Sequence, residues 1–355
     1  MPIEHHRAFQ IGRTVPEENA HLNLKRSPEP DSFQFAAALS ALGIFFAIVS
    51  TGYIRRYSIS AAAVAGIYLC FLLSLGIALA SGFSGMRCRL EGLLASPRRA
   101  LWLPVLWCVP YLMYAAGTGD FKWIALSKLA AIAAVLLGVY CAFPVRRVAP
   151  FAIQDALVAV VLILVVLSGW LTGVWNIPLK LDFMGRLFLL GVASGCWVFV
   201  RRVPSLGYEF RFSRRVVAQA TRNFLYFAAI AIPAGFVLRF TAWNPRWHGL
   251  FDFVANFLEI FLFIALLEEL FFRGFLQTLL SNSLGSWAAA QALVSLVFGF
   301  FHILHRPFPN WRYVALATLA GWFYGSAFRK GGNLMAPALM HAAVDTVWRT
   351  WFTAG

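Results

Sequence analysis

The sequence predicts an all-α fold, a polytopic transmembrane helical bundle of about 9–11 helices. Three observations carry that prediction. Of 355 residues, 60% are hydrophobic and only 13% are charged, against roughly 45–50% and about 25% in soluble proteins. Apolar runs of spanning length, about 20 residues each, recur along the whole chain. The basic residues gather in short loops between those runs, as the positive-inside rule describes. A soluble enzyme, a disordered chain and a secreted disulfide scaffold do not fit these figures.

The elements follow in order. Residues 1–32 are polar and mixed in charge, without the basic, apolar and small-residue succession of a signal peptide, so they are expected to form a cytoplasmic tail. His5 and His6 within it make only a weak metal pair. Apolar runs at 33–54 and 59–83 flank Arg55–Arg56, and a basic loop with Arg87, Arg89, Arg98 and Arg99 follows. The runs at 100–117 and 124–143 flank Lys122, and Arg146–Arg147 precede the run at 150–175. Lys180 precedes 183–200, and Arg201, Arg202, Arg211, Arg214, Arg215 and Arg222 lie around the next loop. The last runs are 222–240, 251–280, 286–304, 312–328 and 334–352; those at 100–117 and 312–328 are short enough to be re-entrant. With the N-terminus inside, inner segments hold 18 basic residues and outer loops 7, which favours that orientation. Arg55–Arg56 falls on the wrong side, which suggests a misplaced span among the first hundred residues.

The net charge of +15 reads as an affinity for anionic head groups rather than for nucleic acid, because no nucleic-acid-binding motif is present. The five cysteines are odd in number and form no C-x-x-C pair, so no disulfide framework or thiolate metal site is implied. The organisation expected is a tail (1–32), an N-terminal transmembrane region without assigned role (33–220) and a C-terminal domain (221–355) that carries the chemistry. Its apolar runs contain acids and histidines, each costing roughly 2.5–3.5 kcal/mol or more to place at the bilayer centre.

Glu268 and Glu269 are adjacent carboxylates in the run LFIALLEELFFRGFLQTLL, where they repel each other and are poorly solvated. Glu269 and Arg273 are at i,i+4 and share a helix face, which fits a structural ion pair. Glu268 points about 100° away and has no such partner. His302 lies one turn after Phe298 in the next run; alone it reads as a hydrogen-bonded core histidine. His305 is expected at the membrane interface. His341 and Asp345, again at i,i+4, share a face of the last run, and Pro337 opens that helix by leaving the carbonyl of Asn333 without its donor. Counted from the inner loops at ~1.5 Å per residue, Glu268, His302 and His341 lie ~21, ~26 and ~14 Å deep, compatible with one shared cavity.

In order and spacing, Glu268-Glu269-x-x-x-Arg273-Gly274, Phe298-x-x-x-His302 and His341-x-x-x-Asp345 resemble the three motifs of the CPBP (CAAX protease and bacteriocin-processing, or Abi) family of intramembrane endopeptidases. Gly321, Tyr324, Gly325 and the stretch Gly332-Asn333-Leu334 are similar to that family too. The resemblance covers about residues 250–352. It implies a cavity open to the cytosol and cleavage of a membrane-associated, prenylated or leader-bearing peptide. By the same resemblance, Glu268 and His302 activate a water, His341 and Asp345 stabilise the oxyanion, and Glu269 and Arg273 are structural. The family most often has Asn where this chain has Asp345, and an ionised Asp cannot donate to an oxyanion. Metal-independent catalysis is the expectation, with no cofactor; the alternative is zinc held by Glu268, His302, His341 and Asp345, an N/O set that zinc accepts.

Other readings fit parts of the sequence. Gly82-Phe83-Ser84-Gly85 matches a rhomboid G-x-S-G and Gly117-Thr118-Gly119-Asp120 a GxGD aspartyl motif, but both fall in predicted loops without partner residues. No H-E-x-x-H is present. A proton-coupled transporter would also bury Glu, His and Asp, although no inverted repeat is visible. A non-catalytic CPBP-like scaffold or immunity protein is the further alternative. The partners expected are a protein or peptide substrate at the membrane and the lipids themselves. The setting expected is the inner (plasma) membrane of a bacterium.

Overall fold

Apolar length decides the architecture. The computed structural model describes residues 31–94, 97–146 and 150–354, so the expected tail and its His5–His6 pair lie almost wholly outside the described residues. Among those described, twelve helices exceed a single turn. They are α1 (Ser32–Arg56), α2 (Ala61–Ala80), α3 (Ser84–Leu93), α4 (Leu103–Thr118), α5 (Trp123–Ala142) and α6 (Ile153–Leu167), followed by α7 (Asp182–Val200), α8 (Arg214–Val237), α9 (Leu250–Leu284), α10 (Trp287–Phe300), α11 (Trp311–Gly331) and α12 (Met335–Trp351). Six of them, α1, α2, α5, α7, α8 and α9, are long and apolar enough to cross a membrane, and α4, α6 and α10 are shorter apolar helices. The chain is an integral membrane protein.

Local chemistry sets the helix ends. Side chains of Ser60, Ser213, Ser286 and Asn310 accept from the backbone N–H of Ala63, Val216, Ala289 and Tyr313, capping α2, α8, α10 and α11. A two-stranded antiparallel ribbon, β1 (Thr241–Trp243) with β2 (Phe352–Ala354), ties the end of α8 to the end of α12.

Hydrogen bonds group the loops into two ends. At one end Arg87 donates to the Tyr208 carbonyl, Leu334 N–H to Gly207, Asn333 to Arg211, Arg215 to Lys330 and Phe151 N–H to Ser283. At the other, Ile177 N–H donates to Tyr114, Arg312 to Arg239 and Asn244 N–H to Trp351. Eleven of the twelve helices run between these ends, and α3 lies at the first. The segments 103–118 and 311–331 therefore traverse the bundle and are not re-entrant. The helix expected over 150–175 stops at Leu167 and continues as turns. The first two spans lie where expected, so Arg55–Arg56 does not mark a misplaced span.

The N-terminal region packs onto the C-terminal one. Helix α2 packs on α4 and α7, and α7 packs against α9; α8 lies on α11 and α12. Near the arginine-rich end a buried ion pair joins α5, α6 and α7. Arg201 reaches both oxygens of Asp155 at 2.9 and 3.1 Å, and Tyr140 donates to the same carboxylate at 2.9 Å. Both ions are fully buried, which is tolerable because each is paired and hydrogen-bonded.

Candidate active site

Helix α9 carries the two glutamates in a short α-helical turn, Leu266–Glu269, between two π-helical stretches, Phe261–Ala265 and Leu270–Gln277. Such i→i+5 turns free carbonyls and turn side chains out of the ordinary 3.6-residue register. Thr278 takes up one of those carbonyls, donating to that of Arg273 at 3.1 Å.

The two carboxylates separate as the helical geometry predicts. Glu269 is fully buried and pairs with Arg273 at 3.2 Å. Arg273, equally buried, also donates to the Gly321 carbonyl at 3.1 Å and lies over the rings of Phe298 (4.7 Å) and Tyr324 (5.1 Å). Gly321 permits this: a Cβ there would stand 3.1 Å from Ser295 Cα and 3.3 Å from the guanidinium and from Phe298. The Glu268 side chain is 38% exposed, and it lines a cavity of about 700 Å³.

One contact was not legible in the motifs taken singly. Glu269 bonds His341 Nδ1 at 2.8 Å, so the acid read as Arg273's partner also fixes the catalytic-motif histidine. The ring of His341 stacks on Tyr324 (4.7 Å, 13°) and meets Phe298 edge-on at 6.1 Å. With Nδ1 held by a carboxylate, Nε2 is the nitrogen left for chemistry. It lies 3.5 Å from Asp345 and 3.9 Å from Glu268. Orientation of His341 therefore falls to Glu269, and Asp345, 41% exposed, stands beside Nε2 in the cavity.

His302 sits just past the end of α10, in the turn that follows Phe300. Its Nδ1 lies 2.9 Å from the Phe298 carbonyl. A carbonyl only accepts, so Nδ1 carries the proton and Nε2 of the neutral ring is a base. The ring rests on Tyr313 (4.5 Å), and His305 stacks beside it at 5.6 Å. His305 is exposed and lines the same cavity, so it belongs to the mouth. Among the described residues Glu268 and His302 share the cavity without a direct hydrogen bond.

Among the described residues no group of three or more His, Cys, Asp or Glu side chains is gathered to hold a metal ion, while the Glu269 carboxylate on Nδ1 leaves His341 Nε2 as open to a metal as to a substrate. The two decoy motifs are accounted for structurally: Ser84 and Gly85 donate to Asp31, and Asp120 pairs with Lys122 at 2.8 Å.

The cavity has a direction. Its wall runs from Phe224, Tyr324 and His341 to Arg246, Arg306 and Thr353, at the end opposite the arginine-rich loops. Helix α1 starts at the arginine-rich end, so a cytoplasmic N-terminus and a mouth open to the cytosol exclude each other in this fold. The structure also adds Lys128, Arg186, Arg239 and Arg349 to the mouth end, which narrows the charge asymmetry among the described residues to 13 against 11. By that asymmetry, Phe308→Cys at the mouth is expected to react with a membrane-impermeant maleimide in intact cells. The native Cys88, exposed at the other end, should react only after lysis. The opposite pattern would turn the protein over and bring the mouth to the cytosol.

A helical membrane bundle in which Glu268, His302, His341 and Asp345 line one cavity is the class that the fold and the site define. Residues 250–347, in the C-terminal third of the chain, match the family described as Type II CAAX prenyl endopeptidase Rce1-like. The match supports a CAAX-type intramembrane protease function in general. The chain is also 30% identical over 95 residues to "Uncharacterized protein YpbD" of Bacillus subtilis (strain 168), over 27% of this chain and 44% of that protein. The chain thus spans under half the length of the curated relative it matches. No solved structure matches it. Helices α1–α8 lie outside the matched residues.

Proposed function

We propose that this protein is an intramembrane endopeptidase of the glutamate type. The observation that carries the reading is the ordering of His341: Glu269 holds Nδ1, and Nε2 faces the cavity between Glu268 and Asp345. Glu268 and His302 Nε2 are two proton acceptors on one cavity wall, the arrangement that holds a water by both its hydrogens. As the water oxygen attacks the scissile carbonyl, Glu268 takes its proton; as the tetrahedral intermediate collapses, Glu268 gives that proton to the departing amine. The developing oxyanion is met by His341 Nε2–H, with the ring carrying its second proton between carboxylates; one such donor is worth roughly 3–4 kcal/mol of barrier. Asp345, where an Asn would donate directly, acts through the charge it places beside that ring. Tyr324 and Phe298 hold the ring plane, and Arg273 compensates Glu269. The substrate is a peptide bond-bearing chain anchored at the membrane, prenylated or carrying a leader.

The experiment is cleavage of membrane-anchored peptides by the detergent-purified full chain, with and without a strong chelator. Rates are expected to agree within about twofold in the two arms. Activity that disappears with the chelator and returns with added zinc would replace this mechanism by a metal-dependent one. Substrate flux across vesicles without any new peptide terminus would favour a transporter.

A further inference from the structure

The matched domain begins at residue 250, yet the cavity is not lined by that domain alone. Arg186, in the first turns of α7, forms part of the wall that holds Glu268, His302, His341 and Asp345. Helix α7 packs directly on the segment of α9 that bears the glutamates, and the charge of Arg186 bears on Glu268. The guanidinium is nonetheless uncommitted: Arg186 is exposed into the cavity and makes no hydrogen bond or ion pair among the described residues. Arg349, which lines the same cavity, is by contrast tied to Glu259 at 3.2 Å and to Asn256 at 2.9 Å.

Resting on the proteolytic reading above, we propose that Arg186 is a substrate-positioning residue, through which the N-terminal bundle takes a carboxylate of the bound peptide. The cavity's own carboxylates, Glu268 and Asp345, repel an anionic substrate, so an acidic group can settle there only beside a fixed cation. Arginine suits that task because its planar fork binds a carboxylate through two parallel hydrogen bonds and stays charged in a partly apolar site. Arg246 and Arg306 line the same cavity and keep the approach positive. The rival account is that Arg186 merely extends its charge to water along an apolar stem.

The test is binding of one lipidated peptide, as the free C-terminal acid and as the C-terminal amide, to the full chain in detergent. A Glu268→Gln background prevents turnover. The acid form is expected to bind about tenfold more tightly than the amide, or ~1.4 kcal/mol. Arg186→Gln should abolish that preference without weakening amide binding, and Arg186→Lys should restore part of it. A preference that survives Arg186→Gln, equal binding of acid and amide to the parent, or binding of neither would overturn the proposal. Cleavage by the chain with an intact Glu268 is scored separately. Preference without cleavage would sink the endopeptidase reading and leave Arg186 as an anion site, whereas cleavage without preference would do the reverse.

Discussion

Glu268→Gln is expected to lower peptide cleavage by at least ~10²-fold while leaving the protein folded. A positioned general base contributes roughly 10²–10⁴ in rate, and an amide can neither take the water proton nor return it to the leaving amine. The fold should tolerate the change because the side chain is 38% exposed into the cavity and its nearest charged partner, His341 Nε2, is 3.9 Å away. Initial rates on one peptide, with unfolding temperatures measured in the same detergent, separate the two effects. A Glu268→Gln protein that cleaves at half the original rate would remove Glu268 from the chemistry.

The second large effect is on stability. Arg273→Met should cost on the order of 3–5 kcal/mol, because it leaves Glu269 buried without its cation. The substitution also strips the Gly321 carbonyl of its donor and vacates the space between Phe298 and Tyr324. The expected observation is a marked fall in unfolding temperature or loss of the monodisperse protein. Adding Glu269→Gln to Arg273→Met removes the uncompensated charge and should recover part of the loss without restoring activity, since His341 then loses its anionic anchor. If Arg273→Met proved as stable as the parent, Arg273 would not be the staple that joins α9 to α11.

Much of this was legible in sequence because bilayer length leaves few options. The run at 251–280 became α9 at 250–284, and the last run, 334–352, became α12 at 335–351. The i,i+4 spacing of Glu269 and Arg273 foretold their pairing and sent Glu268 elsewhere. Other features depend on packing that no local pattern encodes. The π-helical stretches around Leu266–Glu269 are stabilised by tertiary contacts and by the Thr278 hydroxyl rather than by a composition signal. The Glu269–His341 bond links residues 72 apart, and each already had a plausible partner four residues away. Arg186 reads in sequence as a lone cation at the edge of an apolar run; only the docking of α7 on α9 brings it to the cavity. Depth counted from the inner loops gives only compatibility with one shared cavity; the direction of the mouth comes from the packing.

The most direct measurement is mass spectrometry of prenylated and leader-type peptides after incubation with the parent chain and with Glu268→Gln, both purified in parallel. The parent is expected to open one peptide bond, giving one new carboxylate and one new amine terminus, with a chelator present or absent, and Glu268→Gln to give neither. Products formed equally by both proteins, or by neither, would contradict a glutamate endopeptidase built on this site.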